Sequence, residues 1–279
     1  YKSQRRGGRG VQGQTAREED FTEHLFVENT HSYILFFTDK GKCYWVKVYD
    51  IPEGGRAAKG RAIVNLIGCE PDEKVSAFIG VKQDQFHDDH FVVMATEKGI
   101  VKKTKLSAYS NPRKKGIYAV EIREGDSLIE ARVSNGENDI LLGTTNGKSI
   151  RFSEEQIRPS GRKTMGVKGI TLSSSDDKVV GMLLIKREGT VLVATENGFG
   201  KRTEIIQYRA QKRGGKGVLT MKTTDKIGKM ITIKEVVGTD DLMIIRDDGV
   251  LIRMPVSQIR SIGRATQGVK LIKLAEGTR

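Results

Sequence analysis

A glycine-rich basic loop near the start of the chain carries the residues best suited to binding a phosphate. Residues 4–10 read QRRGGRG, in which Arg5, Arg6 and Arg9 alternate with glycines and no acid is present. Glycines let the backbone approach a ligand closely, and guanidinium groups bind phosphate oxygens in pairs. A near copy, QKRGGKG, occupies residues 211–217. We therefore expect both loops to contact a nucleic-acid backbone, holding a duplex without reading its bases.

The chain repeats itself about every fifty residues, and two sets of glycines mark the register. Turn glycines end five short polar segments, at positions 41, 99, 147, 198 and 249. Loop glycines follow basic or polar residues at positions 10, 60, 116, 166, 217 and 268, at intervals of 50 to 56 residues. A period of this length is typical of propellers and other repeat arrays.

Each repeat is predicted to contain four β-strands. A short apolar run precedes each turn glycine, as in residues 34–37, 91–94 and 191–194, and a more polar strand follows it. Short apolar runs bounded by Asn-Gly or Asp-Gly turns are typical of hairpins. A third strand is expected after each loop glycine, and a fourth near residues 75–79 and 179–185.

Six loop glycines beside five turn glycines predict six blades, the first without its opening strands. The fold class is therefore all-β, a propeller-like ring of four-stranded blades. We expect one domain over residues 1–279, with approximate blades at residues 1–30 (partial), 31–84, 85–134, 135–184, 185–235 and 236–279.

Cations recur at fixed places in this register. The residue four past each turn glycine is basic in four repeats of five, and the residue eleven past it is arginine in three. Acids concentrate eight to twelve residues after the loop glycines. With a net charge of +13, a register-locked basic row predicts a polyanion-binding rim. The predicted DNA-binding residues are Gln4, Arg5, Arg6, Gly7, Gly8, Arg9, Gly10, Lys59, Lys103, Lys114, Lys115, Arg151, Arg158, Lys201, Arg202, Arg209, Lys212, Arg213, Lys216, Arg253 and Arg260.

Other chemistry is poorly supported by the sequence. Residues 143–149 approach a phosphate-binding P-loop, but the spacer is one residue short and no helix pattern follows. Residues 87–90, HDDH, are interpreted as a solvated insertion rather than a metal site. Cys43 and Cys69 are expected to be reduced thiols, and Trp45 either stacks on a sugar or base or packs against a neighbouring blade. We predict no catalytic residue and no metal, and no apolar run is long enough for a membrane helix.

The sequence resembles a known family along its whole length. The QRRGGRG loop is similar to the seven-residue box in the C-terminal DNA-wrapping domain of the A subunit of bacterial DNA gyrase, which is a type IIA topoisomerase. The likeness includes EDF at 19–21, VENTH at 27–31, VKVY at 46–49, RAIVNL at 61–66, VKKT at 101–104, NGFGKRT at 197–203 and TQGV at 266–269.

The resemblance implies a six-bladed β-pinwheel whose blades exchange strands, with double-stranded DNA wrapped around its basic rim. The same resemblance implies that the seven-residue box is required for wrapping, and that wrapping enables the enzyme to introduce negative supercoils using ATP. It also implies that the cleaving tyrosine and the ATPase lie outside this domain, so that ATP and Mg²⁺ belong to the complete enzyme. The implied partners are the B subunit, in an A2B2 assembly, together with the rest of the A subunit. The implied location is the bacterial cytoplasm, on the nucleoid.

Within this framework, Arg5, Arg6 and Arg9 are expected to hold one end of the wrapped DNA. Lys103, Arg151, Arg202 and Arg253 are expected to guide its middle. The chain begins partway through a repeat without a methionine, which predicts a fragment of a longer protein. Two alternatives stay open: the DNA-binding C-terminal domain of topoisomerase IV, and a propeller that serves as a protein-docking platform.

Overall fold

The fold is all-β, and its strands are short and regularly spaced. A computed structural model describes residues 3–4, 11–12, 24, 26–54, 60–111, 113–245 and 250–274. The strands are β1 Val11–Gln12, β2 Tyr33–Thr38, β3 Lys42–Lys47, β4 Val75–Val81, β5 Phe91–Thr96, β6 Ile100–Lys105, β7 Ile117–Tyr118, β8 Leu128–Ser134, β9 Asp139–Thr144, β10 Lys148–Ser153, β11 Val167–Lys168, β12 Val179–Ile185, β13 Thr190–Thr195, β14 Phe199–Glu204, β15 Val218–Leu219, β16 Met230–Val236, β17 Asp241–Ile245, β18 Val250–Pro255 and β19 Val269–Lys270. One short α-helix, α1, spans Ile63–Ile67. Single 3₁₀ turns lie at Val48–Asp50, Gln83–Gln85, Leu106–Tyr109, Glu154–Gln156, Ile205–Gln207 and Val256–Gln258.

The described strands form five antiparallel sheets, which we call blades I to V. From the inner to the outer strand they are β4-β2-β3-β7 (I), β8-β5-β6-β11 (II), β12-β9-β10-β15 (III), β16-β13-β14-β19 (IV) and β17-β18-β1 (V). In blades I to IV the outer strand comes from the next repeat along the chain, so that successive blades exchange strands. The inner strands β4, β8, β12 and β16 lie side by side in the interior.

Apolar clusters join each blade to the next. The central strand β5 buries Val92 and Met94 against blade I and Val93 and Ala95 against blade III. Because successive side chains on a strand point to opposite faces, a strand covered on both faces needs an unbroken apolar run. This explains the runs that precede the turn glycines. Similar clusters connect blade III to IV and blade IV to V.

The two sets of glycines are explained by the strand exchange. In blade III, Gly147 has φ +77° and Gly217 has φ +70°, and a Cβ at either position would overlap a backbone carbonyl oxygen of the facing strand, that of Met221 or Ser149. Only glycine tolerates both the left-handed conformation and this close approach. The periodic glycines therefore mark the points at which one repeat crosses the hairpin of the repeat before it.

Two expectations for the repeats are wrong. The strand expected after Gly60 is absent from the described residues, and α1 lies there instead, where Ile67 joins Ile34 and Phe36 on the outer face of blade I. In addition, the sequence predicts β1 in a partial first blade, but it pairs with β18 in blade V, with Val11 opposite Leu251. The sixth blade stays a prediction, since the described residues hold five sheets.

Trp45 packs against aromatic rings of the protein, and the two cysteines are free thiols. Trp45 packs within the protein, stacked on Phe86 with ring centroids 5.0 Å apart and at 5.1 Å from the Tyr33 ring. Cys43 is buried and Cys69 half-buried, and both are free thiols. No helix in the described ranges is long and apolar enough to cross a membrane.

Candidate nucleic-acid interface

The basic loops occupy equivalent positions on successive blades. Three loops begin with a backbone N–H that donates to a carbonyl in the hairpin of the preceding repeat: Ser160 to Lys103 at 2.8 Å, Gln211 to Arg151 at 2.8 Å, and Ile262 to Arg202 at 2.9 Å. Gln4 makes the same bond to the Arg253 carbonyl at 2.7 Å. The loop that starts at Gln4 is therefore in register with the others, although Arg5, Arg6, Gly7, Gly8, Arg9 and Gly10 lie outside the described residues, as does Lys59.

Several of the predicted contact residues are on the surface. The second and sixth residues of the loop at 211–217, Lys212 and Lys216, are both exposed. The predicted residues exposed elsewhere are Lys114, Lys115, Arg158, Arg209 and Arg260. The structure brings these cations to the loop side of the outer strands, and their contact with DNA stays a prediction.

The cations four residues past the turn glycines differ from the exposed loop lysines, because their side chains contact neighbouring elements of the protein. Arg151 Nε lies 2.7 Å from the Asp139 carboxylate, and its Nη1 donates to the Tyr208 carbonyl of blade IV at 3.2 Å. Arg202 Nε donates to the Ile259 carbonyl of blade V at 2.7 Å. Arg253 Nε binds Asp241 at 2.8 Å. These side chains thus make contacts within and between blades, and the contact of Arg151, Arg202 and Arg253 with DNA stays a prediction.

Lys103 departs furthest from expectation. The sequence predicts it on the DNA-binding surface, and this prediction is wrong because the residue is buried. It is 4% exposed, and its Nζ lies 3.5 Å from Glu154 Oε1 and 3.1 Å from the Glu154 carbonyl oxygen, to which it donates. The Phe91 ring lies beside the ammonium, with its centroid 5.0 Å away. A buried charge is tolerated only when it is paired with an opposite charge. The fully buried carboxylate of Glu154 is that partner. A phosphate has no access to this ammonium group.

Lys201 is likewise in the interior and not on the surface as expected. Its Nζ donates to the carbonyls of Gly263 at 2.8 Å and Arg264, and to Thr266 Oγ1 at 3.0 Å. Burial, with the nearby Arg264 charge as a smaller cause, lowers the pKa of Lys201 to about 8. Lys102 holds the equivalent place in blade II, and burial lowers its pKa to about 8 as well. These lysines lie beneath the loops and hold their carbonyls in place.

Arg213 is also engaged within the protein. Its Nε donates to the Gln156 carbonyl at 3.0 Å, and its Nη1 donates to the Lys168 carbonyl at 3.1 Å. Among the three basic residues of the loop at 211–217, the two lysines are thus exposed and the arginine is bound.

The match to a family model now identifies the kind of domain. The model described as "DNA gyrase C-terminal domain, beta-propeller" matches residues 1–27, 32–80, 90–135, 138–186, 189–236 and 240–277. The chain belongs to this family. It is homologous to the C-terminal domain of a type IIA topoisomerase subunit, and the matched family is that of gyrase rather than topoisomerase IV.

Individual relatives agree with this assignment. The DNA gyrase A subunit of Staphylococcus aureus (strain NCTC 8325 / PS 47) is 46% identical over 278 residues, which cover 99% of this chain and 31% of the relative. The chain therefore spans about a third of the length of the relatives it matches. A solved DNA gyrase A C-terminal domain has a TM-score of 0.84 at 22% identity, over 100% of this chain and 90% of that one. The C-terminal domain of a DNA topoisomerase IV has a TM-score of 0.77 at 24% identity, over 88% of this chain and 76% of that one. The latter two likenesses establish the fold alone.

In this gyrase-type domain, some exposed cations of the rim were missed by sequence reasoning. Lys168 and Lys270 stand two residues past a loop glycine, on the outer strands β11 and β19, and Lys163 lies within the loop at 160–166. Their ammonium groups are exposed, and Lys163 lies 5.9 Å from the Tyr118 ring centroid. No clear sequence signal marks them, because the position two past the loop glycines is basic in only two of the six repeats.

Two of the acids that the sequence predicts on a separate edge lie at the turns of the hairpins. Asp126 Oδ1 accepts a hydrogen bond from the Lys98 N–H at 2.9 Å, and Asp177 Oδ1 accepts one from the Asn146 N–H at 3.0 Å. Although burial favours the protonated acid, the hydrogen bonds donated by Ser173, Asn146 and Thr145 keep the pKa of Asp177 below its ordinary value. These carboxylates therefore cap turns of the hairpins.

The segments considered for other chemistry do not form such sites. Residues 143–149 are the β9–β10 hairpin, in which Ser149 is buried with its Oγ paired to Thr220, so this segment does not fit a nucleotide phosphate. His90 pairs with its neighbour Asp89 at 2.9 Å in an exposed loop. In the part of the chain that the structure describes, no group of three or more His, Cys, Asp or Glu residues is arranged to hold a metal.

Proposed function

We propose that this chain binds duplex DNA without sequence specificity and wraps it along the rim formed by its basic loops and outer strands. The observation that carries this proposal is the repetition of one exposed basic element on successive blades. Among the described residues, the exposed rim cations are Arg113, Lys114, Lys115, Arg158, Lys163, Lys168, Arg209, Lys212, Lys216, Arg260 and Lys270. Phosphate contacts from such a row hold a duplex in a fixed path but carry no sequence information.

The bending cost fits this number of cations. Bending a 20–30 bp site by 40–90° costs on the order of 1–6 kcal/mol, so several phosphate contacts per bend are needed to offset it. Six to ten such contacts weaken binding about 10³- to 10⁵-fold between 50 and 200 mM salt. The eleven exposed rim cations of the described residues supply a row of that size.

The wider role follows from the family. We propose that the chain acts as the C-terminal domain of a gyrase A subunit, in an A2B2 assembly with the B subunit, in the bacterial cytoplasm on the nucleoid. Wrapping there enables ATP-dependent introduction of negative supercoils. ATP and Mg²⁺ serve the complete enzyme and have no assigned site among the described residues.

A salt titration of duplex affinity tests the proposal. Replacing Lys212 and Lys216 together with alanine should reduce the slope of log affinity against log salt by about 1.8, since each phosphate contact contributes roughly 0.9. The matched control replaces Lys178 and Lys229, which are exposed and paired with Glu97 and Asp176 at the acidic end of the hairpins. The control changes net charge equally but should leave the slope unchanged.

Wrapping needs its own measurement. Ligation of nicked plasmid with increasing protein should change the linking number with the wild type and change it less with the double lysine variant. A wild-type chain without duplex affinity would instead support a protein-docking platform. An equal loss of slope in rim and control variants would refute the assignment of the rim.

A further inference from the structure

The third residue of each described basic loop other than 110–116 is an arginine that contacts the outer strand following the loop before it. Counting from Ser160, Gln211 and Ile262, this residue is Arg162, Arg213 or Arg264. Each donates from Nη1 to the carbonyl of the second residue of the preceding outer strand. These bonds are Arg162 to Tyr118 at 3.3 Å, Arg213 to Lys168 at 3.1 Å, and Arg264 to Leu219 at 2.8 Å.

A backbone hydrogen bond accompanies each side-chain bond. The carbonyl of the fifth loop residue accepts from an N–H just beyond the preceding outer strand. These bonds are Glu121 N to Thr164 O at 3.1 Å, Thr171 N to Gly215 O at 2.8 Å, and Lys222 N to Thr266 O at 3.1 Å. Each of these three loops is thus joined by two hydrogen bonds to the outer strand, and to the segment just beyond it, that follow the preceding loop. The two bonds occupy the same register in all three cases.

The support beneath the loops depends on the residue three past the turn glycine. In blades II and IV this residue is a buried lysine, and Lys102 donates to the Arg162 carbonyl at 2.5 Å while Lys201 donates to the Arg264 carbonyl. In blade III the residue is Ile150, and the loop is held instead by a bond from Gly214 N to Gly169 O at 2.6 Å. Hydrogen bonds therefore hold the backbone at or beside the third loop residue. The guanidinium group of the arginine at that position is directed along the rim.

We propose that Arg162, Arg213 and Arg264 are positioning residues that fasten successive basic loops into one continuous rim, and that they do not neutralise phosphates. The proposal rests on the proposed DNA-wrapping function for its purpose, but its contacts are independent of DNA. A guanidinium is suited to this role because its fixed fork of donors can serve two carbonyls, as Arg213 does with Gln156 and Lys168. In the sequence, Arg6 and Arg56 stand at the same loop position. Both lie outside the described residues, so three arginines carry the proposal.

Amide hydrogen exchange on the free protein tests the contact itself. R213A should speed exchange of the Thr171 amide about tenfold, because that amide bonds the loop that Arg213 fastens. The neighbouring variant K212A removes the same charge from an exposed position and should leave this amide unchanged. R162A and R264A, read at the Glu121 and Lys222 amides, repeat the test if R213A does not fold.

DNA measurements on the same variants separate positioning from phosphate binding. R213A should leave the salt slope unchanged and reduce the linking-number change, whereas K212A should reduce the slope by about 0.9. R213K keeps the charge but lacks the fork, so the Thr171 amide should still exchange rapidly and wrapping should stay reduced.

Two results would overturn the positioning role: unchanged amide exchange in R213A, or full recovery of wrapping in R213K. Failure of DNA binding by the wild type would refute the proposed function while leaving the exchange result intact.

Discussion

Replacing Lys103 with methionine tests whether this cation belongs to the blade interior or to the DNA surface. The change removes the charge and shortens the unbranched side chain by one heavy atom. Glu154 would then be fully buried without its ammonium partner, although it would keep hydrogen bonds from Ser134 Oγ at 2.5 and 2.6 Å and from the Asn138 N–H at 3.1 Å. Removal of one partner of a buried pair typically costs about 3–5 kcal/mol.

We expect a cost at the lower end of that range, because Glu154 retains donors. A loss of about 3 kcal/mol lowers the unfolding temperature of a domain this size by roughly 6–12 °C. Calorimetry of the wild type, K103M and the exposed-site control K212A measures the difference. K103M combined with E154Q should recover part of the loss, since the buried carboxylate charge is removed as well.

The duplex affinity of K103M provides the contrasting measurement. Its salt slope, taken at a temperature at which the variant is folded, should equal that of the wild type. A slope reduced by about 0.9 with an unchanged unfolding temperature would show that Lys103 reaches a phosphate, and our interpretation of its burial would be refuted.

Two further predictions concern the interior and the glycines. Because the pKa of Lys201 lies at about 8, below its unfolded value, the unfolded chain binds more protons between pH 8 and 10.5, and this lysine makes stability rise with pH across that window. Urea midpoints at pH 7.5 and 9.5 should therefore rise more in the wild type than in K201M, and equal changes would contradict the prediction. G217A should lower the unfolding free energy by at least about 1–2 kcal/mol, since its left-handed φ alone costs that much and a Cβ would also meet the Ser149 carbonyl oxygen. G161A, where a Cβ meets nothing within 4 Å, is the control in the same urea titrations, and equal stability of the two variants would refute the explanation of the loop glycines.

The hairpins were predictable because their signals are local. An apolar run, a turn glycine and a polar strand lie within about fifteen residues, and the structure places β9 and β10 on either side of Gly147 as expected. The segment after Gly60 was predicted as a strand and forms α1. A short apolar stretch such as residues 63–67 does not separate a strand from a helix by its periodicity.

The roles of the register-locked cations could not be predicted, because their partners lie far along the chain. Lys103 meets Glu154, 51 residues on, and Arg151 reaches Tyr208, 57 residues on. Within one repeat each cation has the pattern of an exposed position beside apolar neighbours. Only the structure shows that these recurring cations contact neighbouring blades. The exposure of the loop lysines, by contrast, agrees with what the basic composition of the loops predicts.

The pairing of β1 with β18 has a consequence for how the chain is made. Val11 and Leu251, which face each other in blade V, are 240 positions apart in the sequence. During synthesis each of blades I to IV can be completed as soon as the following repeat emerges, but the segment at Val11 must wait for almost the whole domain. Contacts between such distant residues are slow to form, because a long loop must close before they stabilise anything. We therefore expect the pairing of β1 with β18 to form last, and truncated products of this chain that end before β18 would lack it.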